Sequence, residues 1–346
     1  WAKRDQKYIL ENERHNVQFA AQKVCSMLLR GIRAAGAESV DLIYGLRVSN
    51  FPKFRKLLAF NLPPYREATG NEGRYAAYIT LPGICYLSTI FSVFFEIARW
   101  HYRNAKAKER FQILYGLTFP YAIPTLVGRL IWKTPYAIII PDLPAFTNPS
   151  QGPLGKVLRK INQRILGIVT FHADVLILFS THMKEQLAIS QHCVIEIVEG
   201  CVEPEMTVPV ARQVKSNGRR IIFYSGILLE VYGVKNLVDA FSLWKNSDWE
   251  LWLCGDGDLV EYIKNLAKHD SRIKFLGRLP NEQVVALQQQ AGLLINPRGN
   301  EYEWTRYSFP SKNLEYLASG RPVAWVRLGG IPEEYNEYVF LLDSNS

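Results

Sequence analysis

The stretch Ile221-Ile-Phe-Tyr-Ser-Gly-Ile-Leu-Leu-Glu-Val-Tyr-Gly-Val-Lys-Asn-Leu-Val-Asp-Ala-Phe241 runs from an apolar strand through two glycines into an amphipathic helix. A strand-to-helix turn of this kind leaves backbone N–H groups available to an anion. Gly226 permits close approach and Gly233 opens the helix. Lys235, in the first helical turn, brings a point charge toward a diphosphate, although the same lysine also suits a solvated place on an ordinary α/β turn.

Outward from this turn the pattern repeats. Downstream, Trp249-Glu-Leu-Trp-Leu253, Ile273-Lys-Phe-Leu276, Gly292-Leu-Leu-Ile-Asn296 and Pro322-Val-Ala-Trp-Val326 read as short strands with helical segments between them. Upstream, helical spacing over Val17 to Ile32 precedes a strand at Val40-Asp-Leu-Ile-Tyr44. Further strand-like runs follow at Phe111–Tyr115, Tyr136–Ile140, Val175–Phe179 and Val194–Val198. Short apolar runs alternating with helices suit buried parallel sheets. The polar, Pro-containing stretch from Glu203 to Arg220 interrupts the rhythm. The expected organisation is therefore an N-terminal α/β domain over residues 1–208, a linker at 209–218 and a second α/β domain at 219–346. Two such units in tandem predict a cleft, with ligands at the carboxyl ends of the strands.

Two later segments carry chemistry. Leu251-Trp-Leu-Cys-Gly-Asp-Gly-Asp-Leu259 places Gly255 and Gly257 directly after a strand. A dinucleotide fingerprint needs a third glycine where Val260 stands. Asp256 and Asp258 spell a D-x-D pattern that a divalent metal can use, but turn aspartates are common for their own sake. The remaining reading is a tight glycine turn against a nucleotide. In Leu294-Ile-Asn-Pro-Arg298 and Phe309-Pro-Ser-Lys-Asn-Leu-Glu-Tyr-Leu-Ala-Ser-Gly-Arg-Pro-Val323, a helix starting at Pro310-Ser311 carries Lys312 and Glu315 on neighbouring faces of one turn. A helix N-terminus with an adjacent lysine suits phosphate, and a glutamate one turn on can accept both hydroxyls of a cis-diol. Arg298 and Arg306 are expected to converge on the same place.

The order Gly226, Gly233-Val-Lys, Gly255-Asp-Gly-Asp-Leu, Phe275-Leu-Gly277 and Phe309-Pro-Ser-Lys-Asn-Leu-Glu-Tyr-Leu-Ala-Ser-Gly-Arg-Pro-Val323 resembles the donor domain of the family 4 glycosyltransferases, retaining enzymes of GT-B fold. The resemblance spans residues 219 to 343, and its most specific run is that of enzymes of surface-polysaccharide assembly. It implies two Rossmann-like domains with parallel sheets facing a cleft. It also makes Glu315 the acid that holds the donor ribose, and Lys312 with the Pro310-Ser311 turn neighbours of the diphosphate. Gly255 and Gly257 become part of the nucleotide wall, and Gly277 and Arg278 flank the base. The chain departs from the pattern at Tyr307, where a glutamate is usual, at Ile227, where a basic residue is common, and at Tyr232, where a lysine usually precedes the second glycine. The diphosphate charge then falls to Arg298, Lys312 and Lys235. Asp142, after the strand ending at Ile140, is the candidate for acceptor contact. No metal or other cofactor is expected, since fixed cations and helix-end dipoles can stabilise a departing diphosphate. A sugar-nucleotide epimerase of the same fold and a non-catalytic partner subunit are the competing readings.

Charge and composition set the surroundings. Cutting after Lys215 leaves 27 Lys and Arg against 16 Asp and Glu before the cut, or +11, and 14 against 16 after it, or −2. A basic half favours anionic surfaces. No nucleic-acid motif accompanies it, so the expected partners are a nucleotide-sugar donor, a glycan or lipid-linked acceptor and an anionic membrane met peripherally. The uncharged run from Tyr75 to Phe95 is split by Pro82-Gly83 into pieces too short to cross a bilayer. Five widely spaced cysteines without a C-x-x-C pair suggest neither a disulfide framework nor a zinc site and fit a reducing, cytoplasmic setting; with the anionic membrane as partner, the expected place is the inner face of the cytoplasmic membrane. Both ends of the chain read as truncated.

Overall fold

A computed structural model describes residues 11–12, 20–45, 48–59, 65–66, 72–144, 153–202 and 219–342. The chain forms two compact units. The first comprises Trp1–Leu178 and Met183–Ile197, and the second Phe179–His182 and Val198–Ser346. The linker expected at 209–218 lies outside the described residues, as does Phe19 of the first expected helix.

In the first unit, helix α1 (Ala20–Ala34) leads to β1 (Asp41–Tyr44). The alternation suggested that this strand opens the main parallel series. Instead β1 pairs in parallel with β4 (Glu72–Tyr75), which pairs antiparallel with β3 (Tyr65–Arg66). A second small antiparallel pair joins β2 (Leu58–Ala59) to β5 (Tyr78–Ile79). Two-residue strands carry no periodic signal, so they were invisible to pattern reading. Helix α2 (Ile84–Arg103) begins behind Gly83 and ends at Asn104, whose side chain and backbone both donate to Trp100 O. Thr89, Val93, Ile97 and His101 recur every fourth residue and form its buried face. On the outward face Ile84, Leu87, Phe91, Phe95 and Tyr102 are exposed. Among the described residues, no helix is long and apolar enough to cross a membrane.

The main sheet of this unit contains β6 (Gln112–Tyr115), β7 (Tyr136–Ile140), β8 (Val175–Leu178) and β9 (Val194–Ile197), all parallel and in sequence order. All five β7 residues are buried, as expected for a strand covered on both faces. Helices α3 (Phe119–Trp132) and α4 (Pro153–Phe171) supply the crossovers. Gly128 lets α3 lie close to α2, since a Cβ there would sit 3.2 Å from Ile97 Cγ2. Asp174 ties the layers together, accepting Arg129 Nη2–H at 2.8 Å and Tyr136 N–H at 2.9 Å.

The second unit holds one six-stranded sheet, all parallel: β10 (Arg220–Ile227), β11 (Trp249–Asp256), β12 (Ile273–Gly277), β13 (Leu293–Asn296), β14 (Val323–Val326) and β15 (Phe340–Leu342). The spatial order β12-β11-β10-β13-β14-β15 is the doubly wound order 3-2-1-4-5-6. Alternate side chains of each strand enter opposite cores. Ile222, Tyr224, Leu251 and Leu253 pack under α5 (Val234–Leu243) and α6 (Val260–His269). Ile221, Phe223 and Cys254 pack under α7 (Asn281–Gln290) and α8 (Ser311–Ala318). The chain reverses its winding direction between β10 and β13, so the carboxyl ends of these two strands define where a ligand fits.

Candidate functional site

The end of β10 and the end of β13 are held together by glycines that leave no room for a side chain. Gly233 closes a 3-10 turn (Glu230–Tyr232) with φ 72° and starts α5. A Cβ on it would stand 1.9 Å from the Pro297 carbonyl oxygen, so only glycine allows the β10–α5 connection to lie against the segment leaving β13. Gly255 is opposite Gly226 in the parallel register and adopts φ 148°. A Cβ there would fall 1.7 Å from Gly226 O. Gly257 similarly lies against Leu228 O, and Leu259 N–H donates to the same oxygen at 3.1 Å. The two glycines of the Gly-Asp-Gly-Asp turn thus have a structural demand of their own, from backbone packing against the end of β10. Asp256 Oδ1 accepts the Gly257 N–H at 2.9 Å within that turn, and Asp258 is exposed. Among the described residues no three His, Cys, Asp or Glu side chains are grouped as metal ligands.

Helix α8 brings the cation. The Lys312 Cε lies 2.7 Å from where a Gly226 Cβ would be, so Lys312 passes directly over the end of β10. The Tyr224 hydroxyl is at the same place and donates to Ile227 O at 3.0 Å. Burial, Tyr316 and Tyr232 push the Tyr224 phenol well above its ordinary range, opposed by the positive charge of Arg298. Arg298 adjoins the same corner, with its backbone N 3.4 Å from where a Gly233 Cβ would stand. Its residue is 7% exposed, and its guanidinium carbon stands 4.0 Å from the Trp304 ring centre and 5.9 Å from that of Tyr232.

Buried polar contacts at Ser225 fix both α8 and α7 to the sheet. Tyr316 Oη accepts the Ser225 N–H at 3.1 Å, and Gln288 Nε2 donates to Ser225 Oγ at 3.3 Å. Burial raises the Tyr316 phenol to about 12, so it remains a neutral hydroxyl. On the neighbouring strand, Asn296 Nδ2 donates to Asn313 Oδ1 at 2.6 Å while Asn296 Oδ1 faces the Arg298 N–H at 3.4 Å. Pro310 is the N-cap position of α8, Ser311 is its exposed first residue, and Glu315 is half-buried one turn beyond Lys312.

Gly226, Gly233, Gly255, Gly257, Arg298 and Lys312 thus meet at the switch point. Each of the other candidates has surroundings of its own. Lys235 bonds Asp239 at 2.6 Å along α5, and that bond holds its ammonium above the ordinary lysine value. Tyr262 donates to the other Asp239 oxygen. Arg306, expected to converge on the site, is exposed and donates to His182 Nδ1 at 3.3 Å, while its carbonyl faces Ser180 Oγ. Gly277 has open space around it and Arg278 is exposed at the end of β12. Asp142 is exposed in the first unit, two residues past β7. Sequence reasoning missed Trp304, Asn296, Asn313 and the Tyr316–Ser225 lock. Each depends on a partner distant in sequence, and no local spacing announced them.

Residues 210–346 match the family model described as Glycosyl transferases group 1. Over 123 residues the chain is 30% identical to N-acetyl-alpha-D-glucosaminyl L-malate synthase of Bacillus anthracis. That stretch covers 34% of this chain and 30% of the relative, so the match spans less than a third of the curated protein. Among solved structures, sucrose-phosphate synthase from Thermosynechococcus elongatus is similar with a TM-score of 0.62 and 15% identity, covering 92% of this chain and 80% of that one. WaaG, a glycosyltransferase involved in lipopolysaccharide biosynthesis, is similar with a TM-score of 0.59 and 12% identity over 96% of this chain and 84% of that one. Anabaena Alr3699/HepE, solved with UDP and glucose, gives a TM-score of 0.52 and 15% identity over 79% of this chain and 72% of its own. The fold is α/β and of the GT-B type, with two Rossmann-like units.

Proposed function

We propose that this chain belongs to a retaining glycosyltransferase that moves a sugar from a nucleoside diphosphate sugar to an acceptor hydroxyl. The observation that carries the reading is Lys312 lying over Gly226 at the switch point, on the first turn of α8 and in the same corner as Arg298. Breaking the bond between the anomeric carbon and the diphosphate leaves negative charge on the departing group and positive character on the sugar. Lys312, Arg298 and the α8 N-terminal N–H groups face the first of these charges. One such fixed donor is worth roughly 3 kcal/mol, or about a hundredfold in rate. The acceptor oxygen forms the new bond to the anomeric carbon as its proton passes to an oxygen of the departing nucleoside diphosphate, and Asp142 is the side chain assigned to that acceptor. Glu315 holds the ribose hydroxyls. Support for the donor class comes from the UDP and glucose bound in the HepE structure.

The acceptor is a glycan or a lipid-linked glycan, as in polysaccharide or glycolipid synthesis. The enzyme works in the cytoplasm, at the inner face of the membrane, without a metal. The exposed apolar face of α2 and the +11 charge of the first 215 residues support the membrane setting. A donor screen that reads released nucleoside diphosphate, run with and without excess chelator, tests the reaction. Turnover restored only by magnesium or manganese would return the Asp256/Asp258 turn to consideration as a metal site. Glu315→Ala should weaken donor binding about tenfold with the fold intact, for loss of one charged hydrogen-bond partner. Unchanged donor affinity in calorimetry removes that assignment.

One observation favours a second reading, a non-catalytic glycosyltransferase-like subunit. Tyr307, at the place where the resemblance calls for a glutamate, is only 4% exposed and packed in the core. Direct titration separates the two: a subunit of this kind binds no donor and releases no nucleoside diphosphate.

A further inference from the structure

The connections after β10 and after β13 each contribute one aromatic ring to a seat for Arg298. Tyr232 comes from the first, held in its 3-10 turn by the Gly233 N–H donating to Glu230 O at 2.8 Å. Trp304 comes from the second, in a 3-10 turn (Glu303–Tyr307) whose Thr305 and Tyr307 are buried and whose Thr305 Oγ1 donates to Tyr302 O at 2.7 Å. The two rings stand perpendicular, with 6.1 Å between centres and 89° between planes. Tyr302 stacks on the outer side of Trp304 at 6.1 Å and 27°. Both walls of the seat are anchored by protein contacts rather than by a ligand.

The Arg298 guanidinium lies 4.0 Å from the Trp304 centre, well inside the roughly 6 Å range of a cation–π contact. An aromatic face fixes the direction of a guanidinium without itself adding an opposite charge. It also discriminates between cations, because a planar guanidinium stacks and a compact ammonium does not. We propose that Trp304, with Tyr232, is a positioning residue that orients Arg298 toward the diphosphate of the donor. This rests on the donor reading above. It also gives Tyr232 a task at a position where the resemblance calls for lysine: it forms one wall of the seat for the cation supplied by Arg298.

The test has a ligand-free arm and a binding arm, both on the whole chain. In ligand-free protein, Arg298→Ala and Arg298→Lys should each shift the indole Nε1–H resonance of Trp304, assigned by its loss in Trp304→Phe. A resonance that stays in place overturns the seat. In calorimetry with UDP, GDP and ADP as probes, Trp304→Leu should weaken the nucleotide that binds wild type by about thirtyfold, the scale of a desolvated cation–π contact. Trp304→Phe should restore most of that loss, and Arg298→Lys should resemble Trp304→Leu. In the Arg298→Ala background Trp304→Leu should add little. Full additivity of the two losses overturns the positioning role while leaving the donor reading intact. Failure of wild type to bind any of the three nucleotides, with the resonance shift present, refutes the donor reading itself and the role built on it.

Discussion

Replacing Gly233 by alanine tests how the switch point is held together. The residue sits at φ 72°, and a Cβ would lie 1.9 Å from Pro297 O, about 1.5 Å short of the 3.4 Å at which ordinary contact begins. The left-handed conformation alone costs an L-residue about 1–2 kcal/mol. The collision adds a term, since the obstacle is backbone rather than a side chain that can rotate away. Forced movement of packed backbone costs about 1–3 kcal/mol. The matched control is Gly320→Ala, in the same unit, at φ 66° with nothing within 4 Å of its Cβ. It carries the conformational cost and no collision. The two variants should therefore differ by about 1–3 kcal/mol, which is about 1 M in urea midpoint for a slope of about 2 kcal/mol per molar. Tryptophan fluorescence can follow the transition, and Gly233→Ala should also lose more donor affinity, because Pro297 directly precedes Arg298. Equal urea midpoints for the two variants would refute the close approach on which the site is built.

Asn313→Ala should cost about 1–3 kcal/mol, because the buried Asn296 Nδ2 loses its acceptor. In a double-mutant cycle the Asn296→Ala and Asn313→Ala losses should sum to more than the double variant shows, and strict additivity would mean that the amides do not act as a pair. In the first unit, burial and then the charge of Arg110 lower the His101 imidazole to about 4, against Trp132 stacked at 4.4 Å. The folded protein then binds fewer protons than the unfolded chain between about pH 4 and 6.5, so stability falls as pH drops through that window, by up to about 3 kcal/mol. His101→Phe should flatten that slope in urea melts at pH 7 and 4.5, and an unchanged slope would assign the acid sensitivity to other groups. On liposomes, recovery by flotation should be higher with anionic than neutral lipid and should fall steeply with salt, since each basic residue near the surface contributes about 1 kcal/mol over a screening length of about 10 Å at 0.1 M. Equal recovery on both lipids removes the electrostatic argument, and binding that only detergent reverses points to an inserted segment.

The parallel strands of both main sheets and the helix opened by Pro310-Ser311 were legible in the sequence, because each is a matter of local spacing and turn chemistry. The same local reading placed Gly226, Gly233, Gly255 and Gly257 at strand ends. It was silent on why Gly255 must be glycine, since the obstacle, Gly226 O, belongs to the neighbouring strand. Lys235 and Lys312 looked alike in sequence, each a lysine in the first turn of a helix. Tertiary structure separated them by putting Asp239 and Tyr262 against the first and the end of β10 beneath the second. Arg298 and Arg306 were likewise equivalent until Trp304 took one and His182 the other. The sequence by itself determined where the longer parallel strands, the helices between them and the glycine turns fall, and not the two-residue strands of the first unit. The 3-2-1-4-5-6 order of the sheet decided which of those turns meet, because pairing between strands 70 residues apart depends on packing of the whole domain and leaves no periodic mark on either strand.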